Sequence, residues 1–409
     1  MRCTICKGKG LCGRLSCPIL ERLRVFERIP PIKDSVFGLS PPSVFVGRKG
    51  YPVVRTGPLV PATGELDASR LEDPTCWGGL TIEDVIGVRS TLVRSSAGVN
   101  VKDARSRPGS RIISITQELA RAREPVETEV WFSKPPRLDL RFDGILMPMG
   151  PAGSIEKVRI TANPRVDPKV EYITSDTDLK AALAVDELYR AGISVYQIMR
   201  LFSVGLLGEK RRLVPTRWSI TATDDIIGRR LIERVRDYPE ISDVELYSHT
   251  YFENHFEIIL IPAIYAFELL EIWMPHSVWA ERGAIEADRE WYKGRRGGYS
   301  PLGGGYYAAR LGVLEQLEAR RRQATAVVIR EIYPSYWAPL GAWVIREGVR
   351  EALRGKPALF TDPADALNAA TSRIKTPQRF WGHELKVFDA TRHQRTLSSF
   401  FILLSLPAL

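Results

Sequence analysis

The sequence predicts an α+β or mixed α/β globular body with a small N-terminal zinc finger and a flexible C-terminal peptide motif, on three observations. Strand-like and helix-like stretches are interspersed without a regular βαβ rhythm or an internal repeat. Hydrophobic residues fill 44% of 409 positions, enough for a sizeable core. The two ends differ from everything between them, one crowded with cysteine and glycine and the other apolar. The expected organisation is a finger over residues 1–24, a body over 25–390 that holds the nucleic-acid or nucleotide-binding core, and a tail over 391–409.

The first seventeen residues, MRCTICKGKGLCGRLSC, place sulfurs at Cys3, Cys6, Cys12 and Cys17. Four thiolates suit a closed tetrahedral zinc site with Zn–S bonds of about 2.3 Å, and Gly8, Gly10 and Gly13 let the connection curl back towards the ion. A redox Cys-x-x-C would normally open a helix after a strand, and this one sits at residue 3 among glycines. Zinc is therefore expected as a structural cofactor. Cys76, isolated before Trp77, is expected to pack.

In the body, IPPIKDSVFGLSPPSVFVGRKGYPVVRTGPLVPATG reads as turns and short strands, and IISITQELARARE as an amphipathic helix. Strands are expected at VETEVWF, RFDGILMPMG and KVRITANP. DTDLKAALAVDELYRAGISVYQIMRLFSVG predicts two helices broken at Gly192, the first capped by Asp176. RWSITAT reads as a strand before a basic helix, IIGRRLIERVRDY, and VELYSHTY to FEIILIP as a hairpin. The apolar run FEIILIPAIYAFELLEIWMP contains Glu257, Glu268, Glu271 and Pro262, which predicts a buried strand followed by a helix rather than a bilayer span. Helices are expected at YYAARLGVLEQLEARRRQ, GAWVIREGVREALRG and DPADALNAATSRI.

The balance of 58 Lys+Arg against 48 Asp+Glu gives +10 at pH 7 and favours polyanionic partners. The absence of an apolar h-region after Met1 and the scarcity of cysteine, five in all, predict a cytoplasmic, nucleoid-associated protein rather than a disulfide framework. Three patches are candidates for chemistry. KGRRGGYSPLGGGYYAARLGVLEQ sets Arg295, Arg296 and Arg310 beside glycines, Tyr299 and a helix start, a combination suited to phosphate and to base stacking, though it matches neither the Walker A nor the dinucleotide fingerprint. The alternative is a basic surface loop. In PTRWSITATDD, Arg217 is a further phosphate candidate, and Asp224 and Asp225 are either a carboxylate pair for metal or acid–base work or, the reading favoured, a cap on the basic helix that follows. His249 and His255 lack the spacing of a zinc pair.

The tail holds Gln394, Leu397, Phe400 and Phe401, the pattern Q-x-x-L-x-x-F-F. Leu397, Phe400 and Phe401 share one face of a helical turn, and the arrangement resembles the peptide by which replication and repair proteins bind the DNA sliding clamp, PCNA. The alternative is a terminal helix packed in the core.

Cysteines at one end and a clamp-like peptide at the other, around a basic body with VFVGRKGYPVVRTGPLVP and PTRWSITATDD, make the whole chain resemble the archaeal Nre DNA-repair family. That resemblance implies a role in responding to DNA damage. It also matches Cys3, Cys6, Cys12 and Cys17 to the family's zinc ligands and Gln394, Leu397, Phe400 and Phe401 to its clamp-interacting peptide. It supplies no reaction. The leading expectation is a clamp-recruited repair protein that binds DNA through a basic surface. The alternatives are a hydrolase acting on DNA ends or nucleotide-like adducts, and a non-catalytic adaptor between the clamp and repair factors.

Overall fold

The computed structural model describes residues 31–62, 68–105, 110–137, 145–277, 280–294 and 298–392, with Lys9, Cys17, Leu20, Leu23, Arg24 and Glu27 individually. Cys3, Cys6, Cys12, Arg295, Arg296, Gln394, Leu397, Phe400 and Phe401 lie outside the described residues; Cys17 is half-buried and forms no disulfide with a described cysteine. Among the described residues no helix is long and apolar enough to cross a membrane.

The first six-stranded sheet contains β1 (Ser35–Ser40), β2 (Val44–Val46), β3 (Val53–Pro61), β4 (Leu92–Asn100), β5 (Val126–Phe132) and β6 (Ala152–Ile160), with helices α1 (Ile82–Ser90) and α2 (Arg111–Arg121) in the same stretch. Its order is β1-β5-β6-β4-β3-β2, and only β4 and β6 run parallel. Along β1 and β5 buried and exposed residues alternate, so one face is covered and the other faces solvent.

A helical stretch follows: α3 (Pro168–Ser175), α4 (Ala181–Arg190), α5 (Val195–Ser203) and α6 (Thr216–Val235). Gly192, at a φ of +82°, breaks α4 from α5 as expected. Asp176 does not cap the start of α4; it closes the C-terminal end of α3, where its N–H donates to the Tyr172 carbonyl. Its carboxylate accepts the N–H groups of Asp178 and Leu179 in the turn ahead of α4. Among the described residues, periodicity missed three helices, α1, Lys386–Arg392 and α3, the last opened by Pro168 and capped by the Asp167 side chain.

The second six-stranded sheet contains β7 (Val244–Tyr251), β8 (Asn254–Ile261), β9 (Ala266–Trp273) and β10 (Ala284–Glu290). After α7 (Gly304–Arg320) come β11 (Thr325–Ile332), α8 (Trp343–Arg354), β12 (Ala358–Phe360), α9 (Pro363–Thr371) and α10 (Lys386–Arg392). The order is β10-β9-β11-β8-β7-β12, which inserts β11 between β8 and β9, parallel to β9 and antiparallel to β8. Every residue of β8 and β11 is buried, because both faces are covered. Phe256, Ile258 and Leu260 join the main core with α7 and α8, while Ile259 and Ile261 pack with Leu367, Trp381 and Phe388 of the C-terminal segment.

Two expected elements are replaced. RWSITAT is the opening of α6, where Ile220, Ile227 and Leu231 are buried on one helical face and the Ser219 hydroxyl donates to the Thr216 carbonyl. Its β-branched residues gave the strand reading. AFELLEIW is β9, not a helix. Glu268 and Glu271 are buried and satisfied from far along the chain. Glu268 accepts the N–H groups of Lys386, Val387 and Phe388 at the start of α10, and Glu271 meets Arg330 at 2.5 Å. Of RFDGILMPMG, residues 141–144 lie outside the described residues and 145–150 form no strand. Cys76 is exposed rather than packed, and Trp77 beside it is buried.

Candidate nucleic-acid interface

Alternation along the first sheet brings one set of side chains to a common face. Arg94 and Ser96 lie two apart on β4, and their parallel partners on β6 are Ala152 and Ser154. Arg55 of β3 reaches across this face. Its guanidinium donates to the Ser96 carbonyl at 2.7 Å, to the Ser96 hydroxyl at 3.1 Å and to the Ser154 hydroxyl at 2.9 Å. Arg94 lies over the Phe45 ring, 5.1 Å from its centroid. The β2–β3 connection adds exposed Arg48 and Lys49.

The helix α6 closes the wall. Its first residue, Thr216, accepts the Val46 N–H on Oγ1 at 2.9 Å, which ties the helix start to edge strand β2. Pro215 caps the helix without a side-chain hydrogen bond, and its carbonyl accepts the N–H groups of Trp218 and Ser219. The result is a cavity of about 600 Å³ whose described lining includes Arg48, Lys49, Arg55, Arg94 and Arg217 and no acidic residue. A concave wall whose described charged residues are all cations concentrates counter-ions, and the positive end of α6 adds to the same field.

A second cavity of about 420 Å³ adjoins it, with Arg217 lining both. Trp218, Thr221 and Asp225 are spaced i, i+3 and i+7, hence on one face of α6, and Tyr299 and Tyr307 stand opposite. Trp218 is 47% exposed and Tyr299 60% exposed, and Trp218 also meets the exposed Tyr51 ring at 5.7 Å.

The other expected site residues are placed differently from one another. Arg310 is not at the surface. Its buried guanidinium donates to Glu290 at 3.0 Å and to Asp225 at 2.7 Å, and burial, which opposes its charge, is outweighed by these carboxylates so that its pKa is raised. Gly228 permits this approach, since a Cβ there would stand 2.9 Å from Arg310 Nη2. Asp225 is thus held by Arg310 and, at 2.8 Å, by Arg229.

Asp224 lies mid-helix, capping nothing, fully buried against Arg346. Among the described residues no third ligand joins the two aspartates in a metal-binding group. His255 is buried between Thr250 and Glu257. The residues that sequence reading missed are Arg48, Lys49, Arg55, Arg94 and Trp218. The available signal was the GRKG connection between two valine-rich strands.

Two family models cover nearly the whole chain: archaeal Nre, N-terminal, over residues 11–280, and archaeal Nre, C-terminal, over 290–400. The chain is 42% identical over 404 residues to the DNA repair protein NreA of Archaeoglobus fulgidus, covering 98% of this chain and 99% of that protein. It is 37% identical over 403 residues to the DNA repair protein NreB of the same organism, covering 98% and 100%. With the DNA repair protein NreA of Haloferax volcanii it shares 41% over 352 residues, 83% of each chain. No solved structure matches. By these full-length similarities, the chain belongs to the archaeal Nre family.

Proposed function

We propose that this chain is a DNA-repair protein that grips the phosphate backbone of DNA in the basic cleft between the first sheet and the start of α6. The observation that carries this reading is the convergence of Arg48, Lys49, Arg55, Arg94 and Arg217 on one concave wall. Relatives that match along the whole length bear the name DNA repair protein. Phosphate contacts made by such cations release condensed counter-ions, so binding weakens with salt.

Replacing Arg48 and Lys49 together by Ala should lower affinity for single-stranded DNA and reduce the slope of log K against log salt by about 1.4, at about 0.7 per lost contact. Arg322→Ala with Lys356→Ala removes the same charge from exposed positions elsewhere and should leave the slope unchanged. Equal slopes for the two pairs, measured by fluorescence anisotropy, would remove the cleft from the reading.

The proposal includes recruitment by the sliding clamp through Gln394, Leu397, Phe400 and Phe401, and a structural zinc on Cys3, Cys6, Cys12 and Cys17; both rest on sequence pattern. Supporting the first, α10, whose described residues run to Arg392, two before Gln394, is fastened to the second sheet by buried Val387 and Phe388 and by Glu268. Ending the chain at Arg392 should leave the melting temperature within about a degree and abolish clamp binding in calorimetry, while a 391–409 peptide binds by itself. Clamp binding by the truncated protein, or none by the peptide, defeats this part. Native mass spectrometry of the full chain should find one zinc, and a zinc-free chain defeats the other.

A further inference from the structure

Resting on the cleft as a DNA-backbone site, we propose that the aromatic cavity beside it receives one unstacked nucleobase, which makes single-stranded DNA, or a strand with an extruded nucleotide, the preferred ligand.

Large aromatic side chains normally bury most of their surface, yet Trp218 and Tyr299 present about half or more of theirs at the mouth of one cavity. Tyr299 is held in place there. Its hydroxyl lies 3.5 Å from Thr221 Oγ1, and its ring lies 5.6 Å from that of Tyr307, which is fixed in turn by the Ser300 N–H at 3.1 Å from its own hydroxyl. The volume of about 420 Å³ falls within the range of about 300–1,000 Å³ typical of small-molecule sites, and aromatic walls with a few placed polar groups are their usual lining.

Those polar groups suit a base edge. Asp225 uses one position on each carboxylate oxygen for Arg310 and Arg229, and a carboxylate offers about four, so acceptor capacity remains for an exocyclic amine or ring N–H. Thr221 and Tyr299 add hydroxyls that donate or accept. Arg217 borders both cavities, so a phosphate beside it in the basic cleft and the base of the same nucleotide in the aromatic cavity are compatible with one chain path. Duplex DNA keeps its bases stacked and would leave the second cavity empty.

The test uses the full chain, labelled single-stranded oligonucleotides, the same backbone with abasic tetrahydrofuran units throughout, and dAMP as a competitor. Trp218→Ala and Tyr299→Ala should each weaken binding of the base-bearing strand about 5- to 150-fold, as stacking on one base implies, with salt slope unchanged and abasic binding unaffected. Trp218→Phe should recover most of the loss, which excludes a collapsed fold. Arg48→Ala with Lys49→Ala should weaken both strands alike.

If the abasic strand binds wild-type protein as tightly as the base-bearing strand, the base pocket is wrong and the cleft stands. If neither strand binds, the cleft reading fails and takes the pocket with it. If dAMP binds as tightly as the strand and displaces it, the cavity is a free-nucleotide site and the preference for a strand is overturned.

Discussion

Cut between residues 281 and 282, where the two family models part, the chain should yield two pieces that do not fold separately. The boundary runs through one sheet. β8 and β9 belong to the first piece, and the strand that hydrogen-bonds to both of them, β11, belongs to the second. Removing it uncovers one edge of each neighbour and exposes the surfaces that Val327, Val328, Ile329 and Ile332 bury completely. At about 1.5–3 kcal/mol per side chain these four alone contribute ~6–12 kcal/mol, comparable with the whole stability of a typical protein, about 5–15 kcal/mol.

Charge adds to the loss. Glu271 would be left buried without Arg330, and Glu268 without Arg289 or the N–H groups at the start of α10. Residues 1–281 expressed alone should be insoluble or melt without a cooperative transition, and co-expression with 282–409 should restore a soluble complex. A monomeric first piece with a sharp calorimetric transition would show that β11 is dispensable.

The same long-range pairing explains what was legible in the sequence. Helices α2, α7, α8 and α9 and the β7–β8 hairpin carry their own periodicity and turns, so local pattern sufficed. β9 was misread because the acids at 268 and 271 find partners on β10, β11 and α10, which no local window contains. Arg310 was read as a surface cation from the glycines and tyrosines beside it. Its burial is decided by Glu290 and Asp225, 20 and 85 residues away. The basic cleft was harder still. Its walls come from residues 45–55, 94–96, 146–154 and 215–217, and only the β3–β4–β6 register and the Thr216 contact with β2 bring them together. Charge composition indicated a polyanion; it held no information on which cations converge.

Asp224→Ala should destabilise the protein by about 3–5 kcal/mol in urea unfolding, the cost of leaving a buried guanidinium without its counter-charge. Arg346 Nη2 donates to both carboxylate oxygens, at 2.8 and 2.6 Å, with both side chains shielded from water. The guanidinium lies 5.1 Å from the Tyr196 ring centroid, and the Tyr196 hydroxyl donates to Glu347 at 2.6 Å. Burial pushes the Asp224 carboxyl up while Arg346 and then Arg350 pull it back; burial likewise opposes the charge of Arg346, but the Asp224 carboxylate outweighs it and holds it charged.

The pair joins α6, which carries Arg217 and Trp218, to α8, which packs on the second sheet, so its loss should act on the fold before it acts on binding. Replacing both partners, Asp224→Leu with Arg346→Met, removes the stranded charge and should recover most of the stability, because a well-packed apolar pair is often as stable as the ion pair it replaces. If Asp224 were a catalytic or metal-binding carboxylate, the double variant would fold and still lose function. As a structural partner, it should bind single-stranded DNA with wild-type affinity. A loss below about 1 kcal/mol for Asp224→Ala, or a stable double variant that no longer binds, would refute that role.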